Sequence, residues 1–159
     1  MRERIMKGDA KVIAALNEVL TGELTAINQY FLHASMCKNW GFHSIYEKVY
    51  KESIDEMKHA KCVIDRILFL EGVPNVQKLD KVKIGETIPE QYKADLDLEF
   101  TALERLKRAV KTCMDAQDHA SRALVEEILR DEEEHVDWLE TQLGMIKAIG
   151  IQNYLAENQ

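Results

Sequence analysis

From Asp9, apolar residues recur at the three- and four-residue steps that line one face of an α-helix: Val12, Leu16, Val19, Leu20, Leu24, Ile27, Tyr30, Phe31 and Ala34. The spacing predicts a first helix over about 9–39, capped by Asp9 and broken by Asn39-Trp40-Gly41. A second, from His43 or Ser44, carries Ile45, Val49, Ile54, Met57, Val63 and Ile67 and covers about 43–71, where Gly72 and Pro74 end it. The stretch Gly72 to Pro89 is too irregular for a helix and too long for a tight turn, so it predicts a crossover. After Pro89, Leu96, Phe100, Leu103, Leu106 and Val110 mark a third helix over 89–115. Asp118 then caps a fourth over 118–149, and a short tail helix fits 151–157 beyond Gly150.

Composition narrows this to an all-α fold. Of 159 residues, 46% are hydrophobic and 31% charged, with only 7 Gly and 2 Pro, which suits long helices and argues against disorder, collagen or a β-sandwich. The length predicts a single domain over 1–159. A net charge of -7 disfavours nucleic acid as a partner and favours cations. No apolar run is long enough to span a membrane, and the first residues lack a signal-peptide core, so the expected location is the cytoplasm. Cys37, Cys62 and Cys113 are odd in number and widely spaced, which indicates reduced thiols rather than a disulfide framework or a thiolate zinc site.

Two helices carry Glu-x-x-His, as Glu56/His59 and Glu132/His135, each placing a carboxylate and an imidazole on one face. Alone, either pair is compatible with a solvated helix face. Two further glutamates change the odds: Glu23 precedes Glu56 by 33 residues and Glu99 precedes Glu132 by 33, so the pattern Glu-x32-Glu-x-x-His occurs twice at an offset of 76. The midpoints fall at Trp40-Gly41 and Asp115-Ala116, the turns already inferred from composition. Antiparallel hairpins folded there bring all six side chains level, about 25 Å from the turns at 1.5 Å per residue. Four buried carboxylates would repel one another and take up protons, whereas two divalent cations neutralise them and two neutral imidazoles complete the coordination. Oxygen and nitrogen donors suit iron or manganese, and zinc also binds such sets.

Tyr30, seven residues after Glu23 on the same face, reads either as a hydrogen-bond donor to a ligand carboxylate or as a core aromatic. Trp40 and Trp138 read as packing residues, and Cys62, His33, His43 and His119 lie outside the repeat. Met57 sits about 100° around the helix from Glu56 and therefore faces out of the bundle. With Leu24, Ile27, Phe31 and Tyr50 it suggests a subunit interface.

The ligand pattern is similar to that of ferritin-like di-iron proteins. Longer strings resemble bacterioferritin: Met6-Lys7-Gly8-Asp9, Ala26-Ile27-Asn28-Gln29-Tyr30-Phe31-Leu32-His33, Glu52-Ser53-Ile54-Asp55-Glu56-Met57-Lys58-His59-Ala60, Arg66 to Gly72, and Ile128-Leu129-Arg130-Asp131-Glu132-Glu133. The resemblance runs from Met6 to Leu155 and implies a ferritin-like four-helix bundle with a long crossover between the second and third helices and a short C-terminal fifth. It implies a 24-subunit shell that oxidises Fe(II) with dioxygen or hydrogen peroxide and stores the ferric mineral. It also implies two iron ions per subunit, a b-type haem shared between two subunits, and a small ferredoxin as redox partner.

By position, Glu23, Glu56, His59, Glu99, Glu132 and His135 match the family's ferroxidase ligands, with Glu56 and Glu132 bridging. Met57 matches the haem ligand, and Leu24, Ile27, Asn28, Phe31 and Tyr50 fall where the haem pocket is lined. The sequence departs from some members at Lys51, where they have a His, and at Val63, where they have a Tyr. That His and Asp55 would form an extra iron site on the cavity side, so Lys51 puts that site in doubt. The extension Met1 to Ile5 has no counterpart. Two other readings stay open. One is a small di-iron oxidase or peroxidase without storage, which here would lack rubredoxin-type cysteines; the other is a haem-bearing shell subunit working beside a second subunit type that supplies oxidation.

Overall fold

The computed structural model describes residues 7–159, so Met1 to Ile5, and Met6 of the string Met6 to Asp9, lie outside the described residues. Five helices follow in order: α1 Ala10–Asn39, α2 His43–Phe69, α3 Ile88–Asp115, α4 His119–Ile149 and α5 Ile151–Glu157. They form a four-helix bundle with a short C-terminal helix and a long crossover between α2 and α3. The pairs α1–α2 and α3–α4 are hairpins, α1 also packs along α3, and α2 and α4 form the most open seam.

Local chemistry sets the helix ends. Asp9 accepts from the Lys11 and Val12 amides, and Asp118 from the Ser121 amide, as the sequence leads one to expect. The third helix begins one residue earlier than the expected 89, because Thr87 caps it and Pro89 is tolerated in the first turn, where its missing N–H has no partner to lose. Three helices close with the same pair of backbone bonds. Phe42 N–H donates to Cys37 and Gly41 to Lys38; Gly72 donates to Ile67 and Glu71 to Leu68; Asp118 donates to Cys113 and Gln117 to Met114. Gly41 takes the left-handed conformation this closure needs, at φ 90°, while Glu71 and Gln117 adopt it at 62° and 57°. The second helix accordingly ends at Phe69 rather than at the expected 71.

The crossover is stitched to α1 by one polar stripe. Asn17 accepts from the Asn75 amide, Thr25 from Asp80, Gln29 from Lys83 and His33 from Gly85, so residues four or eight apart on α1 satisfy a strand-like stretch that has no ladder of its own. Arg105 on α3 grips Asp80 through both terminal guanidinium nitrogens, and that ion pair, led by its hydrogen bonds, holds the Asp80 carboxyl below its ordinary pKa. At Gly85 any side chain would collide with the Gln91 backbone, 2.3 Å from an added Cβ, which explains the residue there.

Two apolar clusters fill the bundle. One gathers Val12, Leu16, Leu20, Val63, Ile67 and Leu106, and the other Ala34, Ile45, Val49, Tyr92, Leu139 and Tyr154. Each fully buried Leu or Ile contributes about 1.5–3 kcal/mol. Between the clusters the core is interrupted by a band of ionisable side chains.

Candidate metal centre

Each main helix supplies this band from one level. Glu23 comes from α1, Glu56 and His59 from α2, Glu99 from α3, and Glu132 and His135 from α4; the four carboxylates are 0–3% exposed and His135 5%. All six residues expected from the repeat are brought together. Their donor atoms form two groups, Glu23/Glu56/His59/Glu132 and Glu56/Glu99/Glu132/His135, with atoms in each within 4.8 Å of one another. Glu56 and Glu132 belong to both groups.

Three buried ligand atoms have no hydrogen-bond partner: Glu23 Oε2, Glu99 Oε2 and His59 Nδ1. The His59 Nδ1 lies 3.1 Å from Glu132, 3.5 Å from Glu23 and 3.5 Å from Glu56, yet points at none of them with hydrogen-bond alignment. A polar atom stranded in a protein interior costs about 1–3 kcal/mol. Three in one band, converging on a common space, mark donors arranged for a ligand rather than for each other.

The charges tell the same story. Burial, then the charges of Glu23 and Glu132, push the Glu56 carboxyl well above the carboxylate range. Burial, then Glu132, brings Glu99 up to about 8. For the two histidines burial acts downward but is overridden: Glu132 and Glu23 leave His59 at about 11, and Glu99 leaves His135 at about 9. Two imidazolium ions offset only two of four carboxylates, so the remaining charge is relieved by retained protons.

Tyr30, left undecided by the sequence, donates its hydroxyl to Glu99 Oε1, which also accepts from His135 Nδ1 at 3.0 Å. Burial, then Glu99, raises the Tyr30 pKa well above 10 and keeps the phenol protonated as a donor. Trp138 packs edge-on to Tyr92 at 5.5 Å and beside His135 at 6.4 Å. His33, to which the sequence gives no role, is fully buried; its Nε2 accepts from Gly85, so its Nδ1–H donates to Asp95 at 2.9 Å. Sequence reasoning also missed Glu52 and Asp131. Glu52 Oε1 binds Lys48 at 2.6 Å and its Oε2 lies 3.7 Å from His135, while Asp131 accepts from His59 Nε2 at 2.8 Å. The available signal for Glu52 was its place one turn before Glu56.

A cleft of about 420 Å³ along the open α2–α4 seam leads to the band and is lined by Glu52, Asp55, His59, Cys62, Asp131 and His135, among others. On its rim the Asp55 carboxylate is already flanked by two ammonium groups, Lys51 at 2.6 Å and Lys58 at 3.7 Å. Cys37, Cys62 and Cys113 are all free, with Cys37 and Cys113 buried. No helix among the described residues is long and apolar enough to cross a membrane.

The outer face of α1 and α2 presents a different surface. Met57 is 52% exposed, Phe31 55% and Tyr50 39%, beside half-buried Leu24 and Ile27 and exposed Asn28.

Residues 13–149 match the family model described as the ferritin-like domain. The chain is 49% identical over 152 residues to the bacterioferritins of Mycolicibacterium paratuberculosis and Mycobacterium leprae, covering 96% of this chain and 96% of each relative. The chain belongs to the bacterioferritin family. The bacterial ferritin of Synechocystis is 46% identical across 94% of this chain and 97% of its own length. The matched span contains the six residues of the buried band.

Proposed function

We propose that this bacterioferritin-family chain stores iron, binding two Fe(II) ions between Glu23, Glu56, His59, Glu99, Glu132 and His135 and oxidising them there. The observation that carries the reading is the pair of donor groups sharing Glu56 and Glu132, with three buried ligand atoms left unpartnered. Glu23 and His59 bind one ion, Glu99 and His135 the other, and the two shared carboxylates bridge them. Two Fe(II) bring +4 against four carboxylates; two ferric ions with an oxo bridge also carry +4, so oxidation by dioxygen or peroxide need not expel the metal. Tyr30 holds Glu99 in place through both states.

Ferric product is deposited inside a 24-subunit shell. The extra inner-face iron site of some members does not fit here, because Lys51 and Lys58 already neutralise Asp55. Outside the bundle, Met57 fits a b-type haem shared with a second copy, for its thioether is exposed on α2 as Phe31 is on α1 and Tyr50 on α2, and large apolar side chains left in water favour an occupant. Met57 would hold such a haem through its thioether, and the group would supply electron transfer for reduction of stored iron on release, with a small ferredoxin as electron donor.

The test is the iron retained per chain after aerobic Fe(II) loading and gel filtration. Retention far above two per chain, in a particle of shell mass, is the expected result. A plateau at two in a small particle overturns storage and leaves a di-iron oxidase or peroxidase.

Metal loading should also release protons. The imidazoliums of His59 and His135 and the proton on Glu99 all compete with the cation, so uptake of two Co(II) per chain at pH 7 releases at least about two protons, and affinity rises with pH. Calorimetry in buffers of different ionisation enthalpy counts them. The metal-free fold shows the converse. Glu99 titrates higher in the folded chain than in the unfolded one, so its contribution to stability is complete below 4.5 and is lost as pH rises through about 8. The melting-temperature gain on metal loading is therefore larger at pH 8 than at pH 6.

A further inference from the structure

The two halves of the centre are built unequally, and the difference lies in a residue outside the ligand set. In the Glu23/His59 half, the imidazole is held from behind: its Nε2 donates to Asp131 Oδ2 at 2.8 Å, and its Nδ1 is thereby turned toward Glu23, Glu56 and Glu132. In the Glu99/His135 half, the ring packs against Tyr30 and Trp138, but its polar contacts lie at the front, where Nδ1 meets Glu99 at 3.0 Å and, more distantly, Glu52 at 3.7 Å. Among the described residues no carboxylate bonds the far nitrogen of His135. A cation entering that half must displace the front contact to reach Nδ1, whereas the His59 Nδ1 has no hydrogen bond to give up; Glu23 and Glu99 each offer one unpartnered oxygen, so the difference lies in the imidazoles.

We infer that Asp131 is a positioning residue that fixes the His59 ring, so that the Glu23/His59 half holds its metal ion longer than the Glu99/His135 half. This rests on the metal-centre reading above. Asp131 and the shared ligand Glu132 are neighbours on α4, so the same turn of helix supplies a bridging carboxylate and the support for the histidine facing it across the α2–α4 seam. The seam is thinly packed and opens onto the cleft, so little else restrains this ring; His59, with a side chain 12% exposed, is the least enclosed of the six ligands. A carboxylate behind a metal-binding imidazole fixes both the ring's orientation and which nitrogen faces the metal, and removing such a partner typically weakens metal binding about 10–100-fold.

The experiment is a chelator chase of the full-length protein loaded with two Co(II) per chain, followed by the cobalt absorption bands. The native protein releases cobalt in two phases. Asp131→Ala accelerates the slow phase about 10–100-fold and leaves the fast phase unchanged. Asp131→Asn, whose amide oxygen can still accept from Nε2–H, restores much of the slow phase. His59→Ala removes the slow phase, and His135→Ala removes the fast one. A merely structural role for Asp131 predicts that both phases change together, and that result overturns the proposal, as does an unchanged slow phase in Asp131→Ala. A native protein that retains no cobalt overturns the metal-centre reading itself.

Discussion

Replacing Glu56 by Gln is expected to slow Fe(II) oxidation at least about 100-fold, and at the same time to make the metal-free protein more stable. The first effect follows from the position of Glu56 in both donor groups: losing its charge removes an anionic bridge from each ion and leaves three carboxylates against a charge of +4. The second follows from what the carboxylate costs without metal. Glu56 is 2% exposed and stands among three like-charged side chains, so burial and then Glu23 and Glu132 push its pKa well up, and the fold bears that penalty until a cation arrives. Gln keeps the volume and removes the ionisable group. In a chain of this size each kcal/mol regained raises the melting temperature by about 2–4 °C. Stopped-flow oxidation and calorimetric melting of the metal-stripped protein measure the pair. A variant that oxidises iron normally, or melts lower without metal, shows that the cluster is a structural polar core and not a centre maintained for metal.

The same opposition explains why so much of the centre was legible in the sequence. A bundle that must bring four carboxylates and two imidazoles to one level on antiparallel hairpins constrains their spacing along the chain, and the 33-residue intervals centred on the two turns record that constraint. Helix caps were legible for a related reason, since Asp9 and Asp118 act on amides two or three residues away.

Residues whose partners are remote in sequence left no such trace. His33 bonds Gly85 and Asp95, 52 and 62 residues on, and nothing near it in sequence announces either. The course of the crossover depends on Asn17, Thr25, Gln29 and His33, which in the sequence look like ordinary polar positions of a helix. Asp131 and Glu52 were hidden differently. Each lies among other charged residues, and Glu52 forms with Lys48 the i,i+4 pair typical of a solvated face, so only the fold shows that these carboxylates turn toward histidines. Tyr30 could have been a core aromatic or a donor; its hydrogen bond to Glu99 decides for the donor.

Met57→Leu is expected to lower the haem content of the purified protein at least about tenfold and to slow reductive release of stored iron in proportion. Leu matches Met in volume and hydrophobicity, so the apolar face formed with Phe31, Tyr50, Leu24 and Ile27 is preserved, and what the substitution removes is the sulfur. That distinction separates two explanations of the surface. If Met57 only packs against a second copy, Leu serves as well, and the haem absorbance and the release rate stay at native levels. If its thioether binds haem iron, the haem is lost while the particle persists, because shell contacts of this kind depend on apolar area rather than on one sulfur. Met57 is one residue from Glu56 but about 100° around the helix, so a single turn of α2 would present one side chain to each redox centre. Haem content measured after assembly in haem-replete cells, together with particle mass, distinguishes the two cases.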